Sequence, residues 1–104
     1  MTFNGNEGTF ITLEEGAAMT SRYRNSIQSG EILGQFIGKD LLLKIIEQPE
    51  CEGIRIYYGI NKIGEKSLVL VGADSNTNDL TGGLIADEGI KCPPICGNSN
   101  ALNS

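Results

Sequence analysis

The chain has 104 residues, of which 39% are hydrophobic and 14 are glycine, a size that fits one small soluble domain with a single modest core. Its net charge of −5 argues against nucleic acid and anionic membrane surfaces as partners, because both attract an excess of Lys and Arg. Histidine is absent, which removes Ser–His and Cys–His nucleophile pairs and the commonest metal ligand. We therefore expect no enzymatic activity and no cofactor.

The two ends of the chain are polar. Residues 1–8 contain neither the basic nor the apolar region of a secretory signal, and no apolar run approaches the roughly 20 residues that span a bilayer. We expect a flexible lead at 1–8, a folded core at 9–96 and a tail at 97–104. We also expect a cytoplasmic location without membrane insertion.

The first predicted element is a helix. Thr12-Leu-Glu-Glu15 matches a capping box, and apolar residues follow at helical spacing, so the sequence predicts a helix at about 13–27. The next segment, 31–38, contains Gly34 and Gly38, which weaken a helix, and a short strand or an irregular link is equally compatible with it.

The second predicted helix runs over residues 41–48, with Asp40 as its N-cap and Pro49 as its stop. It is apolar nearly all round. We therefore expect it to be buried on more than one side.

A β-hairpin follows. Residues 53–60 and 67–74 are strand-like, and the polar segment 61–66 between them contains a glycine. The sequence predicts an α+β fold, with two N-terminal helices packed on an antiparallel, hairpin-based sheet and a loop-rich C-terminal segment. A lone hairpin is only marginally stable, so we expect a further strand from 31–37, from 83–86 or from another copy of the chain.

Part of this pattern resembles a known group. From about residue 31 to 102, the chain is similar to small uncharacterised bacterial proteins in Gly38-Lys-Asp40, Gly53-Ile-Arg-Ile-Tyr57, Leu68-Val-Leu-Val-Gly72 and Cys92-Pro-Pro-Ile-Cys96. The resemblance implies no activity.

The second strand of the hairpin is apolar on both faces and carries no charge from Leu68 to Ala73. An uncovered strand of this kind pairs readily with another chain. The leading functional prediction is a small, non-enzymatic interaction or self-assembly protein that forms a homo-oligomer, with Val69, Val71 and Tyr57 as interface candidates.

The alternative prediction is a metal- or ligand-binding protein. Asp74, Asn76, Asn78 and Asp79 place oxygen atoms close together after a strand, as calcium loops do. An EF-hand requires Gly where Asp79 stands and Glu where Ile85 stands, so a turn whose side chains cap their own backbone is the favoured interpretation.

The remaining site candidates are the three cysteines, Cys51, Cys92 and Cys96. They fall one short of a four-ligand zinc site, and Cys51 lies between two glutamates that disfavour its thiolate. An extended Pro-Pro pair would hold Cys92 and Cys96 roughly 12 Å apart, beyond the reach of a disulfide. We therefore expect unpaired thiols, and a turn at Pro94-Ile95 only if a disulfide forms.

Overall fold

The computed structural model describes every residue from Met1 to Ser104, and the chain forms two compact units. Residues 1–7 and 37–89 make the first, which we call the hairpin unit. Residues 8–36 and 90–104 make the second, the ribbon unit. In chain order the elements are α1 (Leu13–Ser26), β1 (Gly34–Phe36), α2 (Lys39–Ile46), β2 (Gly53–Ile60), β3 (Lys66–Ala73), β4 (Ile85–Ala86) and β5 (Ile90–Cys92).

The hairpin unit contains a three-stranded antiparallel sheet in the order β2-β3-β4. The β2–β3 ladder runs without interruption from Gly53 opposite Ala73 to Ile60 opposite Lys66, which confirms the predicted hairpin. The third strand, β4, pairs with β3 and comes from the predicted segment 83–86. The strand β3 is therefore the central strand of this sheet.

The helix α2 contacts β2 and β3, and the residues after it cover one face of the sheet. Ile45 of α2 is only 1% exposed and belongs to the core. The side-chain amide of Gln48 donates to the Ile45 carbonyl over 2.9 Å and accepts from the Leu84 amide over 2.8 Å. Gln48 thereby connects the end of the helix to the segment that leads into β4.

Two expectations about this helix were wrong. Gly38, and not Asp40, is the N-cap, and no side chain caps the helix; Asp40 lies in the first turn instead. Burial on more than one side also fails, since Leu41, Leu43 and Ile46 each keep more than a third of their surface exposed. Because only one face of α2 meets the sheet, its outer apolar residues remain in contact with solvent.

The ribbon unit contains α1, the two-stranded β1–β5 sheet and the C-terminal residues. The capping box of α1 is present, with Glu15 donating its amide to the Thr12 hydroxyl and accepting the Thr12 amide in return. The predicted tail lies against this helix: Arg24 donates to the Leu102 carbonyl over 2.7 Å, and the Leu102 side chain lies beside Gly16.

The α+β class is thus confirmed. Packing of a helix on the hairpin sheet is confirmed for α2, whereas α1 groups with the ribbon. The ambiguous segment 31–38 forms the strand β1, which pairs with β5 and not with the hairpin. No helix reaches the length and apolar character that a membrane crossing requires.

The crowding around Gly72 yields the first prediction. A Cβ at this position would lie 3.0 Å from the Cys51 sulfur, 3.1 Å from the Gln48 amide nitrogen and 3.2 Å from Leu80. Gly72→Ala should lower the free energy of unfolding by about 1–3 kcal/mol, because three neighbours must move. Urea unfolding of the variant and the wild type measures this difference in the free energy of unfolding.

Gly53→Ala is the matched control, since Gly53 is also in the ladder and a Cβ there meets nothing within 4 Å. Its effect should stay within about 0.5 kcal/mol. Equal losses for the two variants would contradict the close packing at Gly72.

Candidate functional site

A cluster of polar side chains lies on the face of the sheet opposite α2. Asp79 forms a β-bridge with Ala73, and its carboxylate accepts hydrogen bonds from the Arg55 guanidinium and, over 2.5 Å, from the Tyr57 hydroxyl. Arg55 also donates to the Thr77 carbonyl over 3.1 Å. We call Arg55, Tyr57 and Asp79 the carboxylate cluster.

Strand geometry explains why these residues meet. Arg55 and Tyr57 are two positions apart on β2, so their side chains share one face, and they stand opposite Val71 and Val69 of β3. The bridge at Ala73 places Asp79 on the far side of β3 from β2. The Asp79 carboxylate therefore reaches across β3 to the two side chains.

The N-terminal segment completes this face. The Phe3 amide donates to the Ser75 carbonyl over 2.8 Å, and the Arg55 guanidinium carbon lies 5.5 Å from the centre of the Phe3 ring, within cation–π range. Sequence reasoning missed Phe3, because residues 1–8 had the composition of a flexible lead. The available signal was that Phe3 is the one aromatic residue among polar neighbours.

The three side chains of the cluster shift one another's pKa values. The hydrogen bond from Tyr57, reinforced by the guanidinium of Arg55, lowers the pKa of Asp79 against the opposing effect of desolvation. Accepting that hydrogen bond, Asp79 raises the pKa of Tyr57. The same carboxylate raises the pKa of Arg55, chiefly through its hydrogen bond. The cluster is thus most favourable with Asp79 ionised and Tyr57 neutral.

A cavity of about 290 Å³ adjoins the cluster, between the N-terminal segment and the start of β2. Glu7, Glu52 and Arg55 are the charged residues that line it. The Glu7 carboxylate is already engaged, because the amides of Asn4 and Gly5 donate to it and lower its pKa. The cavity therefore presents mixed charge, and Glu7 and Arg55 are already engaged within the chain.

The carboxylates among the predicted metal ligands, Asp74 and Asp79, form hydrogen bonds within the chain. One oxygen of Asp74 accepts the backbone amides of Asn76 and Asn78, each over 2.9 Å, which makes a self-capped turn. Asp79 is paired with Arg55 and Tyr57 instead. No group of three or more Asp, Glu or Cys side chains has the arrangement of a metal site.

The cysteines differ from expectation. Cys92 and Cys96 form a disulfide with their Cα atoms 4.8 Å apart, so the predicted extended conformation with two unpaired thiols is wrong. The chain turns between them, and the peptide bonds that precede Pro93 and Pro94 are both cis. Cys51 is free, and its thiol donates to the Gly53 carbonyl over 3.2 Å.

The predicted interface also requires correction. Val71 is only 3% exposed within a single chain, so it is a core residue and unavailable to a partner. Val69 is half-buried, and only Tyr57 of the three candidates is exposed. Because β3 is the central strand, the long unpaired edge of this sheet belongs to β2.

Comparison with known proteins finds no matching family model, no similar curated protein and no similar solved structure.

The lowered pKa of Asp79 predicts how stability depends on pH. Its ionised form stabilises the folded chain above the unfolded-state carboxyl pKa of about 4, and this stabilisation is lost as the pH falls through the lower folded-state pKa. Asp79→Asn should therefore be less stable near neutral pH and should lose less stability on acidification. Urea unfolding from pH 7 to 2 measures both effects, and exposed Asp87→Asn should retain the wild-type steepness.

The hydrogen bond between Tyr57 and Asp79 can be tested separately. Tyr57→Phe removes the largest cause of the lowered Asp79 pKa, so the midpoint of the Asp79 carboxyl titration should move upwards in an NMR experiment. Tyr58→Phe is the matched control, because Tyr58 is 93% exposed and its side chain points to the other face. An unchanged Asp79 midpoint in Tyr57→Phe would contradict the described hydrogen bond.

Proposed function

We propose that the protein is a non-enzymatic self-assembly module whose copies associate through the outer edge of β2. The observation that supports this proposal is the unpaired state of β2, an eight-residue strand at one side of the hairpin sheet. Natural sheets usually protect such an edge with proline, inward-pointing charge or a covering element. The strand β2 contains no proline and one charged residue, Arg55.

The backbone of this edge is available to a partner. From Ile54 to Ile60 the backbone forms hydrogen bonds only in the ladder with β3. In an antiparallel pair, alternate residues direct their amide and carbonyl groups away from the partner strand. These outward groups of β2 are therefore free to form a second ladder.

The side chains of β2 support association as well. Ile56, Tyr58 and Ile60 alternate along the strand and lie on one face, which is the face that α2 covers further along the sheet. All three are more than half exposed. An apolar row of this kind gains from being removed from water.

A second copy of the chain is the partner that fits this edge. Antiparallel pairing of two β2 strands about a twofold axis, centred on Tyr57, sets Ile54 opposite Ile60 and Ile56 opposite Tyr58. Arg55 then stands opposite Gly59, so the one charge of the strand does not face its own copy. The pairing is self-complementary, as a twofold interface requires.

The expected cytoplasmic location and the metal-binding alternative can each be compared with this proposal. A cytoplasmic location is compatible with association through β2, since the edge involves no disulfide. The Cys92–Cys96 pair is more typical of an oxidising compartment, and the redox state of that pair in cells would locate the protein. Metal or ligand binding by the loop at 74–79 is the weaker alternative, because Asp74 and Asp79 already bond within the chain.

Association through β2 predicts a charge-sensitive oligomer. The wild type should show a concentration-dependent mass above that of the monomer in sedimentation equilibrium. Ile60→Lys should weaken this association about tenfold or more, because a lysine would stand in the apolar row opposite Ile54 of the other copy.

Ile63→Lys is the matched control. Ile63 is 79% exposed, compared with 69% for Ile60, but it lies in the turn after β2, outside the ladder. The two variants carry the same charge, and Ile63→Lys should associate like the wild type. A wild type that remains monomeric at the highest concentration, or equal effects of the two variants, would exclude the β2 edge as the interface.

A further inference from the structure

The ribbon unit contains a disulfide at the margin of an apolar groove. The groove has a volume of about 470 Å³, and its walls include Phe36, Ile90, Ile95 and both half-cystines, Cys92 and Cys96. Phe36 stands opposite Ile90 in the β1–β5 ladder, and Gly34, which has no side chain, stands opposite Cys92. The glycine leaves space beside the Cys92 end of the disulfide.

The two sulfur-bearing residues are not equivalent. Cys92 is the last residue of β5, is half-buried, and accepts the Leu33 amide at its carbonyl over 2.7 Å. Cys96 lies beyond the strand and is exposed. A reagent in solution therefore reaches the Cys96 side of the disulfide more readily.

The local charge favours approach by a thiolate. Between Gly89 and Ser104 no Asp or Glu side chain occurs, and Lys91 is the one basic residue. Cys51, in contrast, is flanked by Glu50 and Glu52. Since the thiolate is the attacking species, a segment without acidic side chains repels it less than the segment around Cys51 would.

Opening the disulfide should leave the ribbon unit folded. The bond closes a loop of only five residues, and short loops contribute least to the stabilisation that a cross-link provides. The β1–β5 ladder and the hydrogen bond from Arg24 to the Leu102 carbonyl involve neither sulfur atom.

We propose that Cys92–Cys96 is a thiol–disulfide exchange site, with small-molecule thiols as its reaction partners. A thiolate attacks the Cys96 sulfur and forms a mixed disulfide there, while the Cys92–Cys96 bond breaks and Cys92 leaves as a thiolate. A second thiolate attacks the mixed disulfide, releasing the oxidised small molecule and the Cys96 thiolate, and both protein thiolates take up protons. One protein disulfide and two thiols thus give one protein dithiol and one small-molecule disulfide. This proposal does not depend on association through β2.

The first experiment leaves the disulfide pair unchanged. The full chain with Cys51→Ser is equilibrated in glutathione buffers of increasing reducing strength, and thiols are trapped by alkylation and counted by intact mass. Two thiols should appear together within a range of millimolar reduced glutathione, while the circular dichroism spectrum stays that of the folded protein. A disulfide that resists reduction until denaturant is added, or that opens only with loss of the folded spectrum, would overturn the proposal.

A second experiment tests the position of attack. In the Cys51→Ser background, Cys92→Ser leaves Cys96 as the one thiol, and Cys96→Ser leaves Cys92. The exposed Cys96 thiol should form its mixed disulfide with oxidised glutathione about tenfold faster than the half-buried Cys92 thiol. Equal rates, or a faster Cys92, would overturn attack at Cys96. If either variant does not fold, the first experiment still decides whether the pair exchanges.

Discussion

Burial of the central strand β3 is the constraint on which the hairpin unit depends. Its side chains are apolar on both faces, so each face needs a different cover. On one face, the segment that follows α2 lies against Gly72, where the missing side chain leaves room for Cys51, Gln48 and Leu80. On the other face, Asp79 reaches across the strand to Arg55 and Tyr57, and Val71 beneath is almost completely removed from solvent.

This way of covering β3 leaves β2 as the long strand with an unpaired edge. One edge of β3 pairs along its whole length with β2, and the other edge is paired from Leu70 to Ala73 by β4 and by the bridge at Asp79. The outer edge of β2 is unpaired, and its apolar side chains Ile56, Tyr58 and Ile60 are exposed within a single chain. The sequence predicted association through β3, but the structure makes β3 the central strand, because β4 pairs with it from a more distant part of the chain.

Local patterns predicted the elements well, and long-range contacts were the part that the sequence could not supply. The capping box at Thr12 and the hairpin with its alternating faces depend on residues within a few positions of one another, and both are present. The pairing of Arg55 with Asp79 joins residues 24 positions apart, and no local pattern distinguishes it from calcium-type spacing. The disulfide at Cys92–Cys96 was missed because a Pro-Pro pair favours an extended chain, whereas the chain turns between these cysteines and brings their Cα atoms to 4.8 Å.

The division into two units has a consequence for local unfolding. Each unit has its own hydrogen-bonded sheet, β2-β3-β4 in one and β1-β5 in the other. The buried hydrophobic residues Ile45, Leu70, Val71 and Ala73 all belong to the hairpin unit. Because regions with few buried apolar contacts open at a lower free energy, the backbone amides of the β1–β5 sheet should exchange with solvent sooner than those of β3.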